Sequence, residues 1–310
     1  MRVLVIGASG QLGWELARTR PEGVALELAG SSRCDIRDSA VVRALVAETR
    51  PEVIINTAAY TAVDRAEQER DAAFALNGHG PRHLAEAAAA TGCRLIQVST
   101  DFVFDGTKSS PYLPDAPCAP LGVYGESKLT GERAVMELLG ERACVVRTAW
   151  LYSSHGNNFV KTMLRLMDER ESLGVVADQI GTPTWGRGLA EALWLAAKQG
   201  IGGVHHWTDS GVASWYDFSV AIQEEGLAIG LLAKEIAIRP IRTEDYPTPA
   251  RRPSYSVLDK CITWAALGIE QPIHWRVALR RMLAEYKAEL SSLPAQTKLM
   301  PFGYKEESRA

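Results

Sequence analysis

The chain has 310 residues, of which 46% are hydrophobic and 23% charged, the balance of an ordinary globular protein and too apolar for a disordered one. Its net charge of −3 carries no basic excess of the kind that a nucleic-acid polymer or an anionic membrane would need, so neither is expected as a partner. Five scattered cysteines (Cys34, Cys93, Cys118, Cys144 and Cys261), odd in number and in no C-x-x-C pair, argue against a disulfide framework or a zinc site. The apolar run after Met1 stops at Gly7, short of a signal core, and no later run reaches about 18 apolar residues. A cytoplasmic protein is expected.

The first 150 residues alternate strand and helix patterns. Val3-Leu4-Val5-Ile6 is a short apolar run closed by glycine, as a buried parallel strand is. Residues 11–19 read as a helix, 24–28 as a second strand and 39–49 as a helix stopped before Pro51. Val53-Ile54-Ile55 is a third strand, followed by an alanine-rich helix around 72–91 and a fourth strand, Leu95-Ile96-Gln97-Val98. A proline-rich loop (Pro111, Pro114, Pro117, Pro120) leads to a helix at about 122–139, then a fifth strand, Cys144-Val145-Val146. Such alternation predicts an α/β protein with a Rossmann-like, doubly wound parallel sheet covered on both faces. The expected organisation is a dinucleotide-binding lobe of residues 1–150 plus about 176–205, and a smaller α/β substrate lobe of about 151–175 plus 206–290. A loose tail is expected over 291–310. Six of the eight tryptophans lie beyond residue 180 and read as aromatic core of the second lobe.

Gly7-Ala8-Ser9-Gly10-Gln11-Leu12-Gly13 follows the first strand and opens the first helix. One glycine makes the turn, one admits a pyrophosphate to the backbone, and one lets helix and strand pack closely. The free N–H groups and dipole of the helix start then face the phosphates. Gly7, Gly10 and Gly13 are therefore candidate dinucleotide ligands. At the end of the second strand the sequence runs Leu28-Ala29-Gly30-Ser31-Ser32-Arg33, with no acid before Asp35. An acid there would hold the ribose hydroxyls of NAD, whereas small polar residues and Arg33 accommodate the extra phosphate of NADP. NADPH is the expected cofactor, with NADH as the alternative.

Tyr124 and Lys128 are four residues apart at the start of a predicted helix, hence on one face of it. A neighbouring ammonium favours the phenolate of a group whose pKa is otherwise near 10. Ser99-Thr100 closes the fourth strand, and strand C-terminal ends are where such sheets bind ligands. A hydroxyl there is placed to hydrogen-bond a substrate carbonyl.

Together with Asn56-Thr57-Ala58-Ala59 after the third strand, these residues resemble the extended short-chain dehydrogenase/reductases. More narrowly the chain resembles the dTDP-4-dehydrorhamnose reductase family from residue 1 to about 285. The late stretches Arg147-Thr148-Ala149-Trp150, Asn157-Asn158-Phe159-Val160, Asp178-Gln179-Ile180-Gly181-Thr182-Pro183-Thr184 and Tyr246-Pro247-Thr248-Pro249-Ala250-Arg251-Arg252-Pro253 carry the narrower likeness. The resemblance implies reduction of the C4 ketone of dTDP-4-dehydro-L-rhamnose, the last step of dTDP-L-rhamnose synthesis. It implies that Tyr124 protonates the nascent alkoxide, that Lys128 lowers its pKa and holds the nicotinamide ribose, and that Thr100 bonds the carbonyl. By the same likeness Gly10, Gln11 and Leu12 line the pyrophosphate, Asp35 and Ile36 flank the adenine, Ala58, Ala59 and Tyr60 lie along the cofactor, and Asp101 and Trp150 touch the sugar. Phe102 stands where the family often has tyrosine. Nucleotide-sugar 4,6-dehydratases carry Thr-Asp-Glu at this strand end. Here the triplet is Thr100-Asp101-Phe102, which lacks the glutamate and favours simple reduction.

Among the remaining residues, Arg251 and Arg252, set between prolines, suit a substrate diphosphate, and Arg251 is the one assigned, with a solvated loop charge as the alternative. His205-His206 is read as structural, because adjacent strand residues face opposite ways. No metal ligand is assigned. Some family members bind Mg²⁺ through carboxylates at a subunit contact, and Glu15 fits that local pattern without a neighbouring acid cluster. That leaves Mg²⁺ and a homodimer open. Two rival functions also stay open: reduction or epimerisation of another nucleotide-sugar, and a non-catalytic role like that of the regulatory subunit of methionine adenosyltransferase.

Overall fold

The computed structural model describes residues 1–270 and 272–292; the expected tail lies outside them from residue 293 onward. Six strands form one parallel sheet: β1 (Arg2–Ile6), β2 (Ala25–Ala29), β3 (Val53–Asn56), β4 (Arg94–Thr100), β5 (Ala143–Thr148) and a last strand, Gly203–His206. Their spatial order is β2-β1-β3-β4-β5 followed by Gly203–His206, with every neighbouring pair parallel. The chain leaves β1 toward β2 and returns on the other side to β3. That reversal opens a crevice at the C-terminal ends of β1 and β3.

The helices are α1 (Gln11–Arg18), α2 (Ser39–Thr49), α3 (Val63–Ala66), α4 (Arg70–Phe74), α5 (Gly80–Thr91), α6 (Val123–Leu139), α7 (Phe159–Glu169), α8 (Gly186–Gln199), α9 (Trp215–Ala228), α10 (Cys261–Leu267) and α11 (Trp275–Ser292). The side-chain period of two sends alternate residues of β1 to opposite faces. Val3 and Val5 pack with Leu12 and Leu16 of α1 and with Leu189, Leu193 and Trp194 of α8. Leu4 and Ile6 pack with Val42 and Val46 of α2, Leu84 of α5 and Val135 of α6. The single helix expected over 72–91 is broken by a π-helical turn at Ala75–His79, which turns Asn77 into the interior.

The second lobe is built on Val160 and Leu164 of α7, Phe218 and Ile222 of α9, and Leu279 and Met282 of α11. A parallel strand pair, Ser172–Val176 with Ala237–Ile241, flanks it. The tryptophans divide between the lobes instead of filling one. Trp185 and Trp275 belong to the second core, whereas Trp194, Trp207 and Trp264 pack on the sheet side. Residues 261–269, expected with the substrate lobe, return to the sheet, where Trp264, Leu267 and Ile269 cover its α8 face. Sequence order hides this because α10 is too short to show which apolar surface it covers.

One buried ion pair ties the layers together. Arg147 of β5 donates to both carboxylate oxygens of Glu132 on α6, the shortest contact being 2.8 Å. Arg147 also donates to the Pro114 carbonyl at 3.0 Å, pinning the proline-rich loop. His206 faces the same guanidinium, and burial pushes its imidazole down to about 3, so it stays neutral. Removing one partner of a buried pair leaves an uncompensated charge. Glu132→Ala is therefore expected to lower unfolding free energy by about 3–5 kcal/mol. Glu169→Ala in the exposed Arg165–Glu169 pair should cost less than about 1 kcal/mol. Urea unfolding followed by circular dichroism compares the two.

Candidate active site

A cleft of about 740 Å³ runs along the C-terminal ends of β1, β3, β4 and β5, bounded on its far side by the second lobe. The glycine turn, Ser31, Asp35 and Ile36 line one end. Thr100, Asp101, Tyr124, Lys128 and Trp150 line the other. Residues far apart in sequence thus share one cavity because each follows or faces a sheet strand end.

The three glycines of the turn do three different jobs. Gly7 has φ +82°, and a Cβ there would meet the Ala58 nitrogen at 2.5 Å. At Gly13 a Cβ would lie 2.4 Å from the Gly7 carbonyl, so helix and turn could not close. At Gly10, the residue capping α1, it would meet nothing nearer than 3.4 Å. No protein contact explains Gly10, whose open side faces the cleft. Buried hydroxyls of Ser99 and Thr148 in the cleft wall have no hydrogen-bond partner. A backbone cradle and unpaired donors fit a bound dinucleotide.

At the end of the cleft beyond β2, Asp35 and Ile36 line the wall, but Arg33 does not. Arg33 donates to Glu27 at 2.9 Å and to the Leu28 carbonyl. The guanidinium that meets Asp35 is Arg37, through three contacts of 2.6–3.0 Å, which hold the carboxyl below its usual range. Ala58 and Ala59 line the cleft, whereas the Tyr60 side chain turns to Glu69. Asn77, which sequence pattern did not single out, holds this loop. Its amide bonds the Tyr60 N–H and carbonyl and donates to Ser127 Oγ, between Tyr124 and Lys128. Its only signal was an asparagine interrupting an alanine-rich helix.

Tyr124 and Lys128 do lie on one face of α6, Lys128 buried and Tyr124 half-buried, but their electrostatics differ from expectation. Lys128 Nζ donates to the Val98 carbonyl of β4 at 2.7 Å. Burial pushes its ammonium down to about 8, opposed by Glu132. Burial and then the Asp101 charge drive the Tyr124 phenol up to about 12, against the pull of the neighbouring Thr100 hydroxyl. Desolvation outweighs the expected pull of the ammonium, because the ammonium is directed at a main-chain oxygen. Thr100 Oγ1 donates to Asp101 Oδ1 at 3.0 Å, and burial raises that carboxyl to about 6. Phe102 packs edge-on against Tyr124, with ring centroids 5.5 Å apart, and closes the site with an apolar side.

Trp150 has φ +48°, a left-handed backbone that costs a bulky residue about 1–3 kcal/mol. Its ring stacks on Trp215 at an interplanar angle of 10° and lies over Gly181, where a Cβ would approach it to 2.6 Å. That explains the glycine in the 178–184 stretch. Of the adjacent arginines, Arg251 is exposed and outside the cleft. Arg252 lines it, held by Asp64 at 2.7 Å. The single-residue offset is set by the prolines around the pair, which no helical or strand period can resolve.

Glu15 is fully buried on α1, and desolvation raises its carboxyl to about 7 against a bond from Ser153. Glu285 and Glu289 of α11 approach it, but so do Arg18 and Arg187, both of which pair with Glu285. A magnesium ion needs several free oxygens at about 2.0–2.1 Å. These carboxylates already face guanidinium groups, and among the described residues no group of three or more His, Cys, Asp or Glu side chains is arranged to hold a metal ion. The site does not fit the Mg²⁺ that the resemblance left open. Among the described residues no helix is long and apolar enough to cross a membrane.

Residues 1–288 match the family model described as RmlD substrate binding domain. The chain is 46% identical over 284 residues to a dTDP-4-dehydrorhamnose reductase of Streptomyces griseus, covering 90% of this chain and 91% of that protein. It is 43% identical to that of Aggregatibacter actinomycetemcomitans, over 91% of this chain and 98% of the relative. The chain belongs to the dTDP-4-dehydrorhamnose reductase family. The solved dTDP-4-dehydrorhamnose reductase of Bacillus anthracis str. Ames, in complex with NADP, superposes with a TM-score of 0.86 at 38% identity, covering 92% of this chain and 99% of that one. A UDP-glucose 4-epimerase of Thermus thermophilus shares the fold at 19% identity and a TM-score of 0.78.

The division of labour among the glycines is testable. Gly10→Ala is expected to leave the Tm nearly unchanged while weakening dinucleotide binding. Gly13→Ala should destabilise the protein by about 1–3 kcal/mol or more, through overpacking. Thermal melts paired with NADPH titration separate the two.

Proposed function

We propose that this chain reduces the C4 ketone of dTDP-4-dehydro-L-rhamnose to give dTDP-L-rhamnose, the last step of dTDP-L-rhamnose synthesis, with NADPH as reductant. The observation that carries the reading is the meeting of Thr100, Tyr124 and Lys128 in the cleft opened by the glycine turn, in a chain of this family. The choice of NADPH is supported by the acid-free end of β2. Ser31 lines the cleft there, and Asp35 is neutralised by Arg37, so no free carboxylate opposes an added phosphate.

When bound, the reduced nicotinamide supplies the hydride. The chain supplies the rest. Gly7, Gly10, Gln11 and Leu12 offer backbone to the pyrophosphate, and Gly13 lets them approach. Ile36, Ala58 and Ala59 give apolar walls. Trp150 and Asp101 face the sugar, and Arg252, held by Asp64, replaces Arg251 as the cation at the substrate end. Thr100 Oγ1 steadies the ketone oxygen. Tyr124, whose burial keeps it protonated at neutral pH, gives its proton to that oxygen as it becomes an alkoxide. An alkoxide is a far stronger base than a phenolate, so a phenol near 12 still transfers downhill. Lys128 then stabilises the phenolate until it is reprotonated.

NADPH oxidation on addition of dTDP-4-dehydro-L-rhamnose tests the reaction directly. Tyr124→Phe is expected to cut kcat by about 10²–10⁴-fold while NADPH still binds; near-normal turnover would remove the proposed proton donor. Because burial lowers the Lys128 ammonium to about 8, it carries charge below that pH and loses it above. Activity should therefore fall through an alkaline limb near pH 8. Lys128→Arg, if active, should lack that limb, since guanidinium stays charged.

A further inference from the structure

The segment 153–158 leaves the second lobe and crosses the glycine turn. On one side it is tied to α1. Ser153 Oγ donates to Glu15 at 2.7 Å, the His155 ring stacks on Trp14 at 5.1 Å, and Asn158 donates to Gln11 Oε1 at 3.0 Å. Gly156, with φ +71°, lies against the Gln11 side chain and, with Asn157, lines the cleft. On the other side Ser154 Oγ donates to Glu285 at 3.1 Å and Glu289 at 2.9 Å.

This crossing stands on a knot of charge. Glu15, Glu285 and Glu289 supply three carboxylates from α1 and α11. Arg18 pairs with Glu285 and lies 3.7 Å from Glu15 and 3.8 Å from Glu289. Arg187 of α8 lies 2.5 Å from Glu285 and 4.0 Å from Glu15. Lys161 of α7 donates to the Ser154 carbonyl and is drawn by Glu289. Three acids from two helices thus face three cations from three helices. Arg18 and Arg187 are themselves braced over the rings of Trp14 and Trp185, at 4.5 and 4.7 Å.

We propose that Arg18 and Arg187 are positioning residues: their guanidinium groups neutralise the Glu15–Glu285–Glu289 carboxylates in place of a divalent cation and so hold segment 153–158 over the phosphate-binding turn. The inference rests on the reading of that turn as a dinucleotide site. Arg187 touches neither the turn nor the cleft, so its effect passes through Glu285 and Ser154 to the crossing segment. Losing it leaves Glu15 and Glu285 facing each other with one cation fewer.

The test titrates NADPH into the full-length protein by fluorescence quenching and melts it with and without EDTA or MgCl₂. The wild-type Kd and Tm are expected to be unmoved by either additive. Arg187→Ala should raise the Kd by roughly tenfold, equivalent to about 1.4 kcal/mol, with kcat at saturating NADPH nearly unchanged. Arg187→Lys should recover most of the affinity, and a merely structural role would not give that split with rescue. Glu285→Gln, which preserves shape, should weaken binding in the same direction and guards against misfolding of the arginine variant. A wild type that loses Tm or affinity in EDTA and regains it with Mg²⁺ would overturn the proposal. So would an unchanged Kd in both Arg187→Ala and Glu285→Gln. Failure of the wild type itself to bind NADPH would instead bring down the dinucleotide reading, and this inference with it.

Discussion

The hydrogen bond from Lys128 Nζ to the Val98 carbonyl joins α6 to the sheet. It sets the face of α6 that looks at β4, and so brings Tyr124 to Thr100 at the strand end. Both groups are desolvated there, which keeps the phenol protonated and makes the ammonium easier to discharge. In the proposed reaction the first effect serves delivery of a proton to the new alkoxide. There the second limits the pH range over which the phenolate left behind is compensated.

The cleft depends on contacts that are not themselves part of the chemistry. Asn77 ties the loop after β3 to the first turn of α6 through an amide whose bonds go to both. Its position in a π-helical turn follows, since a regular helix would aim position 77 elsewhere. Arg147 and Glu132 form the deeper brace, joining β5, α6 and the proline-rich loop. The left-handed backbone of Trp150 is held by stacking on Trp215 and by the missing side chain of Gly181. Strain of that kind persists only where the surroundings over-determine it.

The second lobe contributes more than a substrate surface. Its segment 153–158 lies on the glycine turn and is fastened by a charge cluster shared by α1, α7, α8 and α11. The fold thereby couples the glycine-turn end of the cleft to the helices of the smaller lobe. The raised carboxyl of Glu15 beneath it reflects the same burial that drives the Lys128 ammonium down: burial disfavours the charged form of an acid and of a base alike.

Sequence alone determined the features that depend on neighbours along the chain. The parallel sheet follows from glycine-ended apolar runs alternating with helices, and the phosphate turn from three glycines between strand and helix. The Tyr124–Lys128 pairing follows from helical periodicity, which places residues four apart on one face whatever lies opposite. Only the tertiary structure decided what those faces meet. It turned Lys128 to a main-chain carbonyl, paired Asp35 with Arg37 and Arg33 with Glu27, and put Arg252, not Arg251, on the cleft wall. It also split the tryptophans between two cores and surrounded Glu15 with arginines. Desolvation and ion pairing depend on groups that arrive from distant parts of the chain, and periodicity carries no record of them.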